Sequence, residues 1–275
     1  MLRAVFASIA PRGLVNPVVE RIWLSETIRA GSGVEWRLPT GRAELLFNLG
    51  PDEFQVLGRD GVPRRYSGAV VAGPSARPFA LDVAQQGRVL GVVFRPGAAR
   101  AVLGVPMHEI AGQHVSLSDL WGGVASSLQE RLLASAGAEA RLAEAERILA
   151  GRLETSSGAS HPLVGSAMVE LSRNLTRESG HVADRLGFTR RRVEQVFRAD
   201  VGMAPDVFRR LARFRATLCL IDRAASVGWA GFALERGYCD QAHLIREFRA
   251  HAAVSPATYV RLRGPAINHV PAPTC

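Results

Sequence analysis

Two rhythms of apolar residues divide this chain. Over the first hundred residues they come in short runs, partly alternating with polar positions, and glycine or proline closes each run. Ala43 to Leu49 alternates in part and is punctuated by Gly50-Pro51-Asp52. Phe54 to Leu57 resumes and meets Asp60-Gly61, a hairpin-type dipeptide. Gly68 to Ala72 and Arg88 to Phe94 are further runs of this kind. Successive side chains of a strand point to opposite faces, so alternation marks a half-buried strand. Many short strands with close turns predict a small β-barrel or sandwich.

Beyond Pro96-Gly97 the spacing lengthens. Ala98 to Leu103 reads as a helical turn. Ser116 or Ser118 is placed to cap a helix through Leu120, Val124, Leu128 and Leu132. Glu139 to Leu153 repeats the pattern, with Ala134 to Ala138 between the two as the turn of an antiparallel hairpin. Thr155 to Ser160 is small and polar, a linker composition. From His161 everything reads as helix. Pro162 suits a first helical turn, and Leu163, Met168 or Val169, Leu171 and Leu175 form a stripe. A long helix starts at Ala204-Pro205 and runs to about Ala224. Its apolar positions Val207, Leu211, Phe214, Leu218 and Ile221 step by four and three.

The last third also contains one unit twice. Val182 to Thr189, followed by Arg190 to Phe197, has the form helix, glycine turn, helix. Phe232 to Cys239, followed by Asp240 to Phe248, repeats it. Gly187 and Gly237 correspond, as do Phe197 and Phe248, Pro205 and Pro256, and Phe208 and Tyr259. A short helix, a tight turn and a second helix suit a DNA major groove about 12 Å wide. A helix of about 20 residues spans about 30 Å, close to the roughly 34 Å between consecutive major grooves on one face of DNA. The long helix is therefore a fitting spacer between two reading heads.

Charge supports this reading. The net charge is +9, and every one of its 34 basic residues is arginine. From His161 to Gly264 there are 17 arginines against 10 acids, a net of +7, which leaves +2 for the rest. A basic block beside a near-neutral remainder is the footprint of a nucleic-acid module joined to something else.

Several chemistries are unsupported. The three cysteines, Cys219, Cys239 and Cys275, form no CxxC pair, and their sparse, odd count fits a reducing cytoplasm. The seven histidines are scattered, without ligand spacing in the β-rich part, so no metal and no cofactor is expected. There is no GxSxG, P-loop or GxGxxG, so no catalytic residue is assigned. No apolar run reaches membrane-span length. The first ten residues superficially resemble a signal peptide, but the apolar stretch is short and ends in Pro11-Arg12-Gly13, so export is not expected.

The second helix of each unit carries the candidate reading residues. In the first, Val193, Val196 or Phe197, and Val201 face inward, leaving Arg190, Arg191, Glu194, Gln195 and Arg198 outward. Arginines at a helix N-terminus oppose the helix dipole, whereas guanine edges or phosphates reward them. In the second, Leu244, Ile245 or Phe248, and Ala252 are the buried candidates. The reading set is Asp240, Gln241, Ile245, Arg246 and Arg249. Asp240 is better suited to capping the helix than to touching a base. Gln241 can pair with adenine and Arg246 with guanine or phosphate. Arg198 and Arg249, late in their helices, suit phosphate.

The block 161–264 resembles the DNA-binding domain of the AraC/XylS transcriptional regulators. The residues that carry the resemblance are Ala233-Leu-Glu-Arg-Gly-Tyr238, Leu244-Ile-Arg-Glu-Phe-Arg249 and Ser255-Pro-Ala-Thr-Tyr259. Two departures stand out. Gln195 replaces the usual arginine, which implies an altered base preference. Ala253 replaces the usual glycine, which implies a turn that either avoids the left-handed region or is mildly strained. The segments Leu38 to Asn48 and Gly91 to Gly97 are similar to a β domain found ahead of such modules.

The resemblance implies an α+β protein. A β-rich effector-sensing domain occupies 1–110, a helical connector that either dimerises or only joins domains 111–154, a linker 155–160, the double helix-turn-helix domain 161–264 and a tail 265–275. It implies a cytoplasmic regulator, monomer or homodimer, that binds double-stranded DNA and, by family analogy, RNA polymerase. A small-molecule effector or partner protein would act at the first domain. There Trp36, Phe47, Tyr66, Phe79 and Phe94 either line a pocket or simply form the core. The competing readings are a nonspecific architectural DNA-binding protein and a DNA-tethered enzyme. The absence of any cysteine before Cys219 argues against the enzyme.

Overall fold

The computed structural model describes residues 4–27, 33–58, 62–156, 160–175, 180–223, 229–264 and 267–272. The Asp60-Gly61 turn, the middle of the 155–160 linker and the end of the long helix at Ala224 lie outside the described residues.

The N-terminal part builds two antiparallel sheets. The first contains β1 (Ala4–Ile9), β2 (Val19–Thr27), β4 (Glu44–Asn48), β7 (Ala69–Ala72), β9 (Arg88–Phe94) and β10 (His114–Ser116), in the order β1-β2-β9-β4-β7-β10. The second contains β3 (Val34–Arg37), β5 (Glu53–Leu57), β6 (Pro63–Ser67), β8 (Phe79–Asp82) and β11 (His269–Pro271), in the order β11-β3-β8-β5-β6. The result is a sandwich-like pair of sheets, and the barrel alternative is not formed. Within the segment with a superficial likeness to a signal peptide, Ala4–Ile9 form the edge strand β1.

Alternation sorts the core into two layers. On β4, Leu45 and Phe47 join Leu90, Val92 and Phe94 of β9 in one cluster. Leu46, Val70 and Val89 point to the opposite face and pack with Phe54 and Tyr66 of the second sheet. The helices α1 (Arg100–Leu103), α2 (Leu117–Trp121), α3 (Val124–Ala134) and α4 (Gly137–Glu154) cover the first face. Leu117, Trp121, Leu128, Leu132, Leu142, Ile148 and Leu149 are buried in the same cluster as Phe47 and Phe94. The apolar stripes of 117–154 are thus spent on the sheet. The single helix expected through Leu120 and Val124 is two. It breaks at Gly122, which takes φ +60°, and Val124 is exposed. Ser116 precedes α2 without capping it, and its hydroxyl accepts from the Ser67 backbone N–H at 3.1 Å instead.

The C-terminal part is helical. It contains α5 (Pro162–Arg173), α6 (Gly180–Leu186), α7 (Arg190–Val201), α8 (Pro205–Arg223), α9 (Trp229–Glu235), α10 (Gln241–Ala252) and α11 (Pro256–Leu262). Leu211, Phe214, Leu218 and Ile221 of α8 run through one core that also takes Val193, Phe197, Phe248 and Tyr259 from both repeats. Of the two alternatives on α5, Met168 packs on this core and Val169 is exposed.

The two parts share a broad contact. Strand β11, beyond the last helix, pairs antiparallel with β3, with Val270 opposite Trp36. Leu38 and Val270 are buried in the helical core, and Trp36 and Ala76 pack against it. Among the described residues, no helix is long and apolar enough to cross a membrane.

Candidate nucleic-acid interface and sensor cavity

Each helix-turn-helix is punctuated by the residues its geometry requires. Gly187 and Gly237 take φ +71° and +73°, the left-handed region that glycine enters without a Cβ penalty. The Thr189 hydroxyl then caps α7 by accepting from Arg192 N–H at 3.2 Å. Asp240 caps α10 by accepting from His243 N–H at 2.6 Å. The carboxylate of Asp240 is therefore occupied by its own helix.

On α7, Val193, Val196, Phe197 and Val201 are buried. Arg190, Arg191, Gln195 and Arg198 are exposed, and Glu194 is half-buried. Arg198 pairs with Glu194 at 3.0 Å across one helical turn. Arg192 reaches back to the His161 ring at 3.5 Å. On α10, Leu244, Phe248 and Ala252 are buried, and Gln241, Arg246 and Arg249 are exposed. Ile245 is half-buried, at the border between the two faces. Among the described residues, the side chains of Arg190, Arg191, Arg246 and Arg249 make no hydrogen bond or ion pair that a DNA contact would have to break.

The opposite ends of both helices are engaged by the N-terminal part. Late in α7, the Ala199 carbonyl accepts from Met107 N–H at 2.8 Å. The buried Asp200 carboxylate accepts from Arg100 at 3.0 Å and from the His161 backbone N–H at 2.8 Å. Late in α10, His251 Nδ1 donates to the Ala76 carbonyl at 2.6 Å, with the imidazole packed on Phe214. The first turns of both recognition helices are open, and the last turns are docked.

Residues 182–262 match a family model described as a helix-turn-helix domain. This block is a helix-turn-helix domain of the AraC/XylS type. Such a domain binds DNA, which makes residues 182–262 the DNA-binding part of the chain. Residues 7–116 match a second model, a domain of unknown function (DUF6597). No curated protein matches the sequence at significance. Among solved structures, the unsaturated fatty acid-bound wild-type ToxT of Vibrio cholerae aligns at 9% identity and a TM-score of 0.46, over 93% of this chain and 94% of that one. A second ToxT structure from Vibrio cholerae aligns at 8% identity and a TM-score of 0.46, over 93% and 97%.

In front of this AraC-type domain lie two clefts. One, of about 510 Å³, runs beneath α8. There Arg215 donates to the Thr40 carbonyl at 3.1 Å and Arg42 pairs with Glu20 at 2.7 Å. The other, of about 700 Å³, opens between the second sheet and the start of α8. Trp36, Tyr66 and Phe79 line it, with Gly202, Met203 and Val207 contributed by the DNA-binding block. The two readings left open for the five aromatics, pocket lining or core, divide between them, with Trp36, Tyr66 and Phe79 at the cavity. Phe47 and Phe94 belong to the core on the other face of the first sheet, 2% and 0% exposed. Alternation decides this split. Other residues not singled out in the sequence also line the cavity, His114 and Met203 among them. Nothing local marks them, because β10 and the α7–α8 turn meet there only in the fold.

Proposed function

We propose that this chain is a sequence-specific AraC-type transcription regulator that reads two adjacent major grooves, one with each helix-turn-helix unit. The observation that carries the reading is the shared polarity of α7 and α10. Both present an exposed N-terminal half bearing side chains with no ion pair among the described residues, Arg190 and Arg191 on α7 and Gln241 and Arg246 on α10, while both C-terminal turns are docked. Residues near the N-terminus of a recognition helix are the ones that reach base edges. In this reading Arg190, Arg191, Gln195, Gln241 and Arg246 supply base choice. Arg198 and Arg249 hold phosphates, and Arg198 exchanges Glu194 for that anion. Asp240 acts through its cap, and Ile245 packs beside the groove.

The N-terminal domain modulates this activity through the wall of the larger cavity. The segment Gly73 to Pro78 touches both units, Pro74 against Gly202 at the end of α7 and Ala76 against His251 on α10. A ligand or partner protein that prefers one arrangement of this wall shifts the docking of both heads. The domains act as a sensing block, 1–154, joined through 155–160 to the reading block, 161–264. The protein works in the cytoplasm as a monomer or homodimer, with RNA polymerase as the downstream partner.

The test is selection of genomic fragments by the purified chain at two salt concentrations. A bipartite motif with halves roughly 10 base pairs apart that persists at the higher salt is expected. Uniform recovery that collapses with salt would make the protein a nonspecific phosphate binder. Arg246→Ala should relax preference in one half-site only, by roughly 1–3 kcal/mol of discrimination. Arg198→Ala should weaken all sequences alike and reduce the salt slope by about one.

A further inference from the structure

We propose that Arg213 of α8 is the residue that aims the second recognition helix, α10, at its groove. The inference rests on the two-groove reading above and assigns a positioning residue to one of its two heads. The Arg213 side chain is only 5% exposed, and its guanidinium forks. One nitrogen donates to the Gly237 carbonyl in the turn at 2.8 Å, and another donates to the Glu247 carboxylate of α10 at 2.6 Å. The guanidinium carbon lies over the Tyr238 ring, 4.5 Å from its centroid. The Tyr238 hydroxyl in turn meets the hydroxyl of Thr217, one helical turn along α8 from Arg213, at 3.2 Å. The spacer helix thus holds the turn, the aromatic residue after it and the recognition helix from one place.

A buried ion pair is a weak source of stability, because desolvation offsets the attraction. Nε of Arg213 is buried with no hydrogen-bond partner among the described residues, which lowers that contribution further. What the fork adds is direction. The contact of Phe214 with Phe248, 5.1 Å between ring centroids, rewards burial without fixing an orientation, because the hydrophobic effect is non-directional. A planar guanidinium with two acceptors does fix one. Glu247 is half-buried at one border of the inward face of α10, with Ile245 at the other and Leu244 and Phe248 between them. A helix turns by about 100° per residue, so the direction of Glu247 also sets that of Arg246 beside it and of Gln241 at the start of the helix. The first head has no such fork. At the places of Glu247 and Tyr238 it carries Val196, which is buried, and Phe188, which is 46% exposed. Losing the fork therefore affects one half-site only.

The experiment compares the full chain carrying Arg213→Met and Glu247→Leu together with the natural chain. The double change removes both charges at similar volume, so the two proteins should melt at about the same temperature. Selection of genomic fragments should then return a motif whose first half is kept and whose second half loses at least about tenfold in preference, the worth of one misaimed bidentate contact. Arg246→Ala identifies which half belongs to the second head. An Arg213 that only stabilises the fold predicts natural selectivity in both halves at matched stability. That result overturns the proposal, and so does an equal loss in both halves. If the double variant does not fold, Arg213→Lys decides. It keeps the charge but not the fork, so it should show the same one-sided loss, and natural selectivity in it overturns the proposal. The aim is also readable without DNA. Spin labels on the exposed Cys219 of α8 and Cys239 before α10, in a Cys275→Ser background, should give a broader distance distribution in the double variant. An unchanged distribution overturns the proposal. A natural chain that selects no motif, beside a distribution that broadens as expected, would sink the two-groove reading and leave the positioning role standing.

Discussion

His251 and Ala76 are 175 residues apart, and a hydrogen bond of 2.6 Å joins the imidazole of one to the carbonyl of the other. It ties the last turn of α10 to the loop that walls the larger cleft. His251 is nearly buried, its ring 4.9 Å from Phe214. Removing it takes away both packing and a donor. His251→Ala should destabilise the full chain by about 1–3 kcal/mol, and His251→Phe should recover the packing part alone. Limited proteolysis separates the effects. Both variants should be nicked faster within 155–160 than the natural chain, because both lack the tie. Equal nicking rates would mean that this bond does not hold the domains together.

Gly202 and Gly187 make a controlled pair. Both have positive φ, +83° and +71°, so an alanine at either pays the left-handed cost of about 1–2 kcal/mol. Their surroundings differ. A Cβ at Gly187 would meet nothing within 4 Å, whereas one at Gly202 would lie 2.4 Å from the Pro74 side chain and 2.9 Å from the Met107 carbonyl oxygen. Gly187→Ala should therefore cost only the backbone term. Gly202→Ala should cost more and loosen the domain contact as well. Urea denaturation of the two variants checks this, and similar midpoints would show that the α7–α8 turn does not press on Pro74.

Much of this was legible in the sequence, for reasons that differ by region. The helical repeat was clear because its periodicity, its glycine turns at Gly187 and Gly237 and the Asp240 cap are local, whereas the matching Thr189 cap emerged only in the structure. Strands β4, β5, β7 and β9 were visible from their alternation or apolar runs, whereas β1, β2, β3, β6, β8 and β10 were not. β6, Pro63–Ser67, is largely polar and exposed, so no apolar rhythm marks it. β11 depends wholly on β3, a partner more than 230 residues away. The break at Gly122 hid because Leu120, Val124 and Leu128 keep helical spacing across it. Phe47 and Phe94 read as pocket candidates by residue type, and only the strand register shows that they face the helices. The cavity residue His114 has no sequence signal, because its character comes from Phe79 and Tyr66 folding over it.

Acid should act through the two buried histidines. Burial lowers the pKa of His114 to about 4. Burial also lowers that of His251, opposed by the Ala76 carbonyl and Glu247 and reinforced by Arg210 and Arg213. An unfolded histidine titrates near 6.5. Between that value and the folded one, the unfolded chain binds more protons, so stability rises with pH. The contribution is full above about pH 6.5 and drains away as pH falls toward about 4, with His114 worth up to about 3 kcal/mol. His114→Gln has no such titration. Its urea midpoint should fall less between about pH 7 and about pH 5 than that of the natural chain. Parallel losses in the two proteins would place the acid sensitivity elsewhere.

Ala253 is the non-glycine residue with positive φ among the described residues, at +61°. Of the two outcomes expected where the family has glycine, the strained one holds: the turn does not avoid the left-handed region. The strain has an identifiable place. Ala253 ends α10 by donating its backbone N–H to the Arg249 carbonyl at 3.0 Å, and Ser255 immediately starts the next cap by accepting from Thr258 N–H at 3.1 Å. Two caps two residues apart leave the chain no other way round the corner, and the buried Phe248 and Tyr259, 5.6 Å apart, fix both sides of it. Ala253→Gly should therefore relieve about 1 kcal/mol of native-state strain. Part of that gain is offset by the greater freedom of glycine in the unfolded chain. Because Arg249 and Arg246 lie on the exposed face of the same helix, DNA affinity should not change. A melting temperature that rises by a few degrees with unaltered DNA binding is the expected result. A fall would mean that the methyl group of Ala253 stabilises the turn by more than its backbone conformation costs.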